Sequence, residues 1–439
     1  MTDFSFRIEF PQTGQSPAPI VFRPGVQVIY GESGVGKSEL CRQLVLTHPS
    51  SQSGNLVVQD RTPIARPMLV TQDPDDQIVA PSLFRELAFN LENLGWSSLE
   101  IEQRMAEIIG LAELTWNLDR HPFSLSGGEC QMLNLATALS VRPDLLAIDD
   151  GLAFLSESNK QRCAAILQAY SEETEAVIVW MTSDHEDLRY GKERWELRAG
   201  SLSRGMPSMN PSSFNGRFPS GRATLKIGRL TFGYEERGNR LFRNQNLWVG
   251  PFRSLAILGD NGSGKTTLGR LLSGIVSPEE GTIDVELGGR RELRVGFLPQ
   301  FPERLFGGRT LLELEEELRA NGLFSNPDAD TMGKVLGEFG ISHSGVGGRP
   351  IHSLDVPVRR VALTLMICLA RYDLVILDEP MFGLGIIQRE KLLKHLRKFL
   401  SKKHLIFITH SPSAAEDLCD SAVTIEGGVI KELPLREEK

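Results

Sequence analysis

The segments GESGVGKS (Gly31 to Ser38) and GDNGSGKT (Gly259 to Thr266) decide the fold of this 439-residue chain. Both match the pattern G-x-x-x-x-G-K-[ST], and each lies between a short apolar strand and a stretch with helical periodicity. In such a unit the backbone N–H groups of the loop and the helix N-terminus face phosphate oxygens. We therefore predict two phosphate-binding loops, 228 residues apart, rather than two ordinary glycine-rich turns.

The spacing between the two loops recurs along the chain. Three further pairs of strand-end residues share nearly the same offset, namely Gln72 and Gln300, Asp149 and Asp378, and Ser183 and His410. A repeat in phase predicts two homologous α/β domains with mainly parallel, buried strands. We place the first domain at residues 1–200, a flexible linker rich in Ser, Pro and Gly at 201–221, and the second domain at 222–439.

Composition indicates a globular chain without a membrane span. The longest apolar run, Val361 to Ala370, has ten residues, whereas a spanning helix needs about 20. The N-terminus carries neither the basic nor the apolar region of a secretory signal, so we expect a cytoplasmic protein. The net charge of −8 argues against general nucleic-acid binding. The five cysteines are scattered without CxxC pairs and are expected to be buried thiols.

A third kind of motif narrows the class of protein. LSGGEC, from Leu125 to Cys130, precedes a helical run, and with the loops, glutamines and strand-end carboxylates it resembles the ATP-binding cassette (ABC) family. The resemblance implies two tandem P-loop NTPase domains, each with a mainly parallel sheet and a helical signature subdomain, paired head to tail. It also implies ATP and Mg²⁺ as ligands, with the signature residues Ser126, Gly127 and Gly128 closing on the nucleotide of the opposite copy.

The resemblance implies a complete ATPase site in the second copy. The residues expected to bind ATP are Gly259, Asn261, Gly262, Gly264, Lys265, Thr266, Thr267 and the adenine-stacking Tyr234. Mg²⁺ would be bound by Thr266, Gln300 and Asp378. Glu379 would orient or deprotonate the attacking water, His410 would contact the γ-phosphate, and Gln300 would assist catalysis.

The first copy is expected to bind MgATP but to hydrolyse it slowly or not at all. Its ligands would be Gly31, Gly34, Gly36, Lys37 and Ser38 for ATP, and Ser38, Gln72 and Asp149 for Mg²⁺. The shorter Asp150 stands where a catalytic glutamate is expected, and Ser183 replaces the histidine, although His185 lies two residues on.

Three further substitutions, in the signature segment of the second copy, are expected to weaken the first site. Alignment on Arg360 makes Asp355 and Val356 the replacements for the paired glycines of the signature, and Pro357 the replacement for the polar residue after them. An acidic side chain repels phosphate, and a β-branched residue prevents close backbone approach. Phe10 is the counterpart of Tyr234 and is better interpreted as a core aromatic.

The stretch DPDDQIVAPSLFRELAFNLENLG after Gln72 is similar to that of ATPases in energy-coupling-factor importers for vitamins and metal ions. That resemblance implies a transmembrane coupling protein and a substrate-capture membrane protein as partners, and a location on the cytoplasmic face of the membrane. The alternative for DPDDQ is a solvated acidic turn that caps the next helix.

Two other functions stay open. One is a soluble ABC ATPase acting on ribosomes or chromosomes, which would usually show a charged linker, an iron–sulfur cysteine cluster or coiled-coil insertions. The other is an ATP-gated interaction protein with little turnover, against which the intact Glu379 and His410 argue.

Overall fold

The computed structural model describes residues 3–13, 18–46, 56–112, 114, 117–206, 221–234, 240–260, 262–306 and 308–435. The chain divides into two compact units. Their bounds are Met1–Asn210 with Gly383–Ile387, and Pro211–Phe382 with Gln388–Lys439.

The first unit contains a mainly parallel sheet and a smaller antiparallel sheet. Its strands, in chain order, are β1 (Phe4–Glu9), β2 (Ala18–Phe22), β3 (Gly25–Gly31), β4 (Val57–Gln59), β5 (Pro67–Val70), β6 (Leu145–Asp149), β7 (Val177–Thr182), β8 (Glu193–Arg198) and β9 (Ser201–Arg204). The main sheet has the order β5-β6-β7-β3-β8-β9, parallel except for the antiparallel pair β8-β9. The second sheet has the order β2-β1-β4.

Helices surround the central strands of this unit. They are α1 (Lys37–Val45), α2 (Leu83–Asn93), α3 (Ser98–Leu111), α4 (Gly127–Ser140) and α5 (Glu157–Thr174). Every position of β3, β6 and β7 is buried, as expected for parallel strands covered on both faces. Alternate residues of β3 therefore enter different apolar clusters: Val28 and Tyr30 pack with the helices, and Ile29 packs with β1 and β2.

The second unit repeats this plan. Its strands are β10 (Ala223–Gly233), β11 (Arg240–Phe252), β12 (Ser254–Gly259), β13 (Glu280–Leu287), β14 (Val295–Leu298), β15 (Leu374–Asp378), β16 (His404–Ile408), β17 (Ser421–Glu426) and β18 (Val429–Leu433). The main sheet has the order β14-β15-β16-β12-β17-β18, and the antiparallel sheet has the order β11-β10-β13. Each phosphate loop thus follows a strand at an equivalent place in the main sheet, after β3 or after β12.

The helices from residue 265 onward complete the second copy. They are α6 (Lys265–Leu272), α7 (Glu303–Phe306), α8 (Leu311–Ala320), α9 (Asn326–Glu338), α10 (His343–Gly347), α11 (Val356–Leu369), α12 (Ile386–Leu400) and α13 (Pro412–Leu418). Helices α8 to α11 lie between β14 and β15 in the chain, as α2 to α4 lie between β5 and β6. The predicted α/β architecture with a helical subdomain in each copy is confirmed.

The start of the predicted linker is a strand. β9 pairs antiparallel with β8 from Arg198↔Ser201 to Trp195↔Arg204, and Arg204 forms an ion pair with Glu193. These contacts add residues 201–204 to the edge of the first sheet, because a short turn brings them back along β8. Residues 207–220 of the predicted linker lie outside the described residues.

Two expectations from composition can be compared with the structure. All five cysteines are buried and unbridged, as expected. Burial raises the pKa of Cys163 and of Cys368 to about 12, so these thiols behave as core residues. Within the described ranges, no helix combines the length and apolar character that a membrane span requires.

Candidate active sites

The second phosphate loop joins the buried strand β12 to helix α6. Gly262 and Gly264 have φ values of 78° and 108°, a left-handed conformation that favours glycine. Lys265, the first residue of α6, donates from Nζ to the carbonyl oxygens of Gly259 at 2.7 Å and Asp260 at 3.0 Å. The loop therefore curls around its own lysine. Asn261, predicted to bind ATP, lies outside the described residues.

A hydroxyl and a carboxylate meet at the base of this loop. Thr266 Oγ1 donates to Asp378 Oδ2 at 2.6 Å, since β12 and β15 both neighbour β16 and end at the same edge of the sheet. Burial raises the pKa of Asp378 to about 6, although the hydrogen bond from Thr266 opposes it. A hydroxyl and a carboxylate are hard oxygen ligands of the kind that Mg²⁺ prefers, so these residues fit that ion.

Glu379 and His410 form a pair beside this carboxylate. His410 Nδ1 lies 2.9 Å from Glu379 Oε1, and the side chains belong to the ends of the adjacent strands β15 and β16. Burial acts to raise the pKa of Glu379, but His410 and Lys265 outweigh burial and hold the pKa below its usual value. The glutamate is thus kept ionised, as a group that accepts a proton from water must be.

Tyr234 borders the same site, and Gln300 follows β14, the strand next to β15. Gln300 directly follows Pro299 after β14, and its carbonyl oxygen accepts a hydrogen bond from Arg360. The hydroxyl of Tyr234 lies 3.4 Å from Thr267 Oγ1, in the first turn of α6. The structure therefore brings the predicted stacking residue next to the phosphate loop.

The first phosphate loop has the same shape and an additional ion pair. Gly34 and Gly36 have φ values of 86° and 103°, and Lys37 Nζ donates to Gly31 O at 2.7 Å. The ammonium also lies 3.7 Å from Asp150 Oδ2, and both side chains are buried. No ion pair to Lys265 is found in the part of the chain that the structure describes.

Asp149 marks the expected cation position in the first copy. Burial and the neighbouring Asp150 raise the pKa of Asp149 to about 6, while a hydrogen bond from Ser38 opposes the rise. Asp149 Oδ1 is buried without a hydrogen-bond partner. A buried carboxylate oxygen left unpaired beside a serine hydroxyl fits a divalent cation. Gln72 is half-buried after β5.

Asp150 and Ser183 occupy the places of Glu379 and His410. Asp150 accepts hydrogen bonds from the backbone N–H of Ser183 at 2.6 Å and from its hydroxyl at 2.7 Å. Both carboxylate oxygens are therefore engaged within the strand ends. His185 begins the next turn and lies edge-on to Tyr30 at 6.2 Å, so the structure supports Ser183 as the counterpart of His410. Phe10 packs against a core cluster, as expected.

The first signature segment forms a capped helix start. Ser126 is the N-cap of α4, and its hydroxyl accepts from the N–H of Glu129, whose side chain accepts from the N–H of Ser126 at 2.8 Å. This reciprocal arrangement is a capping box. Gly127 and Gly128 occupy the first turn and are buried. The backbone N–H groups of that turn form an end that attracts anions.

The second signature segment differs, and the alignment from sequence is wrong by one residue. Helix α11 begins at Val356 with Asp355 as its N-cap, so Asp355 corresponds to Ser126. Val356 and Pro357 therefore replace the paired glycines, since the segment between β14 and α11 is one residue longer than the segment between β5 and α4. Asp355 makes no side-chain cap hydrogen bond. The loss of the glycines stands, with a proline added to it.

Arg360 is a buried residue near the second site, and sequence analysis used it for alignment without predicting a role for it. Its guanidinium bonds the carbonyl of Gln300 and lies 5.5 Å from the ring of Phe382. The available signal was a pair of arginines, Arg359 and Arg360, inside an otherwise apolar helical run. Buried cations need a partner, so such a pair predicts a contact outside its own helix.

Comparison with known proteins agrees with this geometry. A profile of the family described as ABC transporter matches residues 21–153 and 242–382. The chain belongs to this family, and it is an ABC ATPase with two cassettes. In "Putative ABC transporter ATP-binding protein" of Methanosarcina mazei, 24% of 389 residues are identical, covering 83% of this chain and 77% of the relative. A protein of the same name from Methanosarcina acetivorans is 24% identical, and the match covers 92% of this chain and 84% of the relative.

Solved structures share the two-cassette fold. An archaeal ribosome recycling factor, aABCE1 in complex with the ribosomal stalk protein aP1, aligns with a TM-score of 0.61 at 21% identity. It covers 95% of this chain and 86% of its own. RNase-L Inhibitor aligns with a TM-score of 0.60 at 20% identity, and the match covers 94% of this chain and 86% of that protein. At these identities the likeness is one of fold.

Proposed function

We propose that this chain is the ATP-hydrolysing motor subunit of an ABC transporter, most like the ATPase of an energy-coupling-factor importer for a vitamin or metal ion. Its partners would be a transmembrane coupling protein and a substrate-capture membrane protein, with the chain peripheral on the cytoplasmic face. The similar segment after Gln72 and the names of the relatives support this assignment. No nucleic-acid partner is proposed.

Hydrolysis is proposed at the second copy's phosphate loop. Lys265 would bind phosphate, Thr266 and Asp378 with Gln300 would hold Mg²⁺, and Glu379 would orient the attacking water. Mg²⁺ supplies charge neutralisation at the β- and γ-oxygens. The observation that supports Glu379 is its pairing with His410 at 2.9 Å, which keeps the carboxylate ionised.

The signature of the first copy is proposed to complete this site, as the family resemblance implies. Ser126, Gly127 and Gly128 would contact the nucleotide held by the Lys265 loop. The first copy's own loop would hydrolyse ATP slowly or not at all. Asp150 supports this, because Ser183 and Lys37 already engage its oxygens.

Two equivalent apolar residues carry the proposal of a membrane partner. Phe84 is 44% exposed at the second residue of α2, and Leu312 is 42% exposed at the second residue of α8. They lie 228 residues apart and follow the two glutamine segments. Exposed apolar side chains at matching places in both copies fit a partner that contacts both with the same kind of apolar helix.

The loop before α2 is held in place by a buried acid. Glu86 Oε2 accepts hydrogen bonds from the N–H groups of Val79 at 3.0 Å and Ala80 at 2.7 Å. Val79 is 61% exposed next to this anchor. Its side chain is therefore presented on a fixed backbone, which lowers the entropic cost of binding a partner.

Vesicle binding tests the assignment. Purified full chain is mixed with inverted membrane vesicles from its own host, and saturable binding is expected. Vesicles treated with protease should no longer bind, because the partner is a protein and not lipid. Phe84→Asp with Leu312→Asp should abolish binding, whereas Ile275→Asp should not, since Ile275 is 58% exposed outside both helices.

Sedimentation of the chain with purified ribosomes instead of vesicles would favour the soluble alternative. This alternative is tested because one protein of similar fold is a ribosome recycling factor, although the likeness is one of fold. Absence of steady-state phosphate release from the chain would favour an ATP-gated interaction protein.

A further inference from the structure

The first turns of the two phosphate-loop helices differ in charge. Glu39 is the third residue of α1, and its counterpart in α6, 228 residues further on, is Thr267. The first turn of α1 therefore contains a carboxylate, whereas that of α6 contains none. A helix N-terminus attracts anions through its exposed N–H groups, and a carboxylate in the first turn meets the same positive end.

The carboxylate of Glu39 lies against the phosphate loop. A Cβ atom placed on Gly36 would be 3.1 Å from Leu56 and 3.8 Å from Glu39 Oε2, whereas on Gly264 its three nearest neighbours would all be atoms of Leu241 and Phe242. Gln43 Nε2 donates to Glu39 Oε1 at 3.3 Å, one turn along the helix. The negative charge is thus held beside the loop that would receive phosphate.

The lysine of the first loop is already compensated. Lys37 lies 3.7 Å from Asp150 in a buried ion pair, and attraction in a buried site is stronger than in water. The charge of Lys265 is less compensated and attracts an incoming anion more strongly, because the acid beside it, Glu379, is paired with His410. The motifs of the first site also contain one carboxylate more than those of the second. The first has four, and the second has three. They are Glu32, Glu39, Asp149 and Asp150 in the first site, and Asp260, Asp378 and Glu379 in the second.

We infer that Glu39 and Asp150 make the first loop a low-affinity site for nucleoside triphosphates, so that one chain binds one ATP tightly and a second ATP weakly. The inference rests on the proposed function only in taking both loops as nucleotide sites. Its content is the order of the two affinities and the residues that set it.

The electrostatic origin predicts a dependence on phosphate charge. Repulsion by Glu39 grows with the charge of the nucleotide, so the difference in affinity between the two sites is larger for ATP than for ADP. Salt screens partly exposed charges, so this difference in affinity becomes smaller as ionic strength rises. A difference in shape alone would show neither trend.

Equilibrium dialysis with radiolabelled ATP and Mg²⁺ tests the inference on the full chain carrying Glu379→Gln, which prevents turnover. We expect one tight ATP and a second that binds at least about tenfold more weakly. Glu39→Thr, the residue of the second loop, should strengthen the weak step about tenfold, and Glu39→Gln should strengthen it without changing side-chain length. A gain in affinity cannot arise from misfolding.

The reciprocal change is the matched control. Thr267→Glu should weaken the tight step and leave the weak one unchanged, while photolabelling with 8-azido-ATP should map the weak step to the first loop. Two equal affinities before any change at Glu39, or a weak step that Glu39→Thr does not move, would overturn the inference. Neither result affects phosphate release by the wild-type chain, on which the proposed hydrolysis is judged.

Discussion

Two carboxylates at equivalent strand ends have opposite surroundings. Glu379 reaches the imidazole of His410, and Asp150 reaches the backbone and hydroxyl of Ser183. Both residues have positive φ, 49° and 48°, so the backbone turns in the same way. The chemical difference therefore comes from one methylene in the acid and from the residue that ends the neighbouring strand.

This difference predicts unequal effects of neutralising the two acids. Glu379→Gln should lower steady-state phosphate release about 100-fold or more, because it removes the group proposed to orient and deprotonate water. Asp150→Asn should leave most of the activity, since its amide can keep both contacts with Ser183. Equal losses in the two variants would contradict the division between the sites. Circular dichroism of each variant controls for folding.

Two helices of the first unit begin with nearly the same cap. Ser97 and Glu100 form a capping box at α3, as Ser126 and Glu129 do at α4, with serine N–H to carboxylate distances of 2.8 Å in both. α3 lacks the paired glycines that follow Ser126. Ser97 therefore serves as a control for Ser126, because it has the same capping role but does not belong to a signature segment.

A comparison of serine truncations follows from this match. Ser97→Ala and Ser126→Ala should each lower the free energy of unfolding by about 1 kcal/mol, the usual cost of a lost N-cap. Only Ser126→Ala should also lower ATP hydrolysis, because Ser126 is proposed to contact nucleotide. Urea unfolding and phosphate release measure the two effects. Loss of activity in both variants would assign the effect to stability instead.

At the scale of the whole molecule, local signals in the sequence predicted what they directly encode. The loops Gly31–Ser38 and Gly259–Thr266, the strands before them and the repeat needed only patterns a few residues long. The contacts of Asp150 depend on β6 lying next to β7, which brings residues 33 apart in sequence together. The start of α11 is shifted by the extra residue before that helix, and the pairing of β9 depends on its contacts with β8, so the sequence placed both incorrectly.

The join between the linker and the second copy predicts a pH dependence of unfolding. His404, at the start of β16, is buried, and its Nε2 accepts the N–H of Arg222 at 3.3 Å. Burial, with Arg253 and Arg222 nearby, lowers the pKa of His404 to about 4 from 6.5. Between these values the unfolded chain binds a proton that the folded chain does not, so this contribution to stability is lost as pH falls.

Acidification from pH 7 to pH 5 should therefore cost about 2 kcal/mol through His404. His404→Gln keeps an acceptor for Arg222 but has no proton to bind in this range. It should reduce the pH dependence of the free energy of unfolding, obtained from urea unfolding, by that amount. An identical pH slope in His404→Gln and the wild type would show that His404 titrates alike in both states, so that its buried contact with the chain before β10 is not what resists acid.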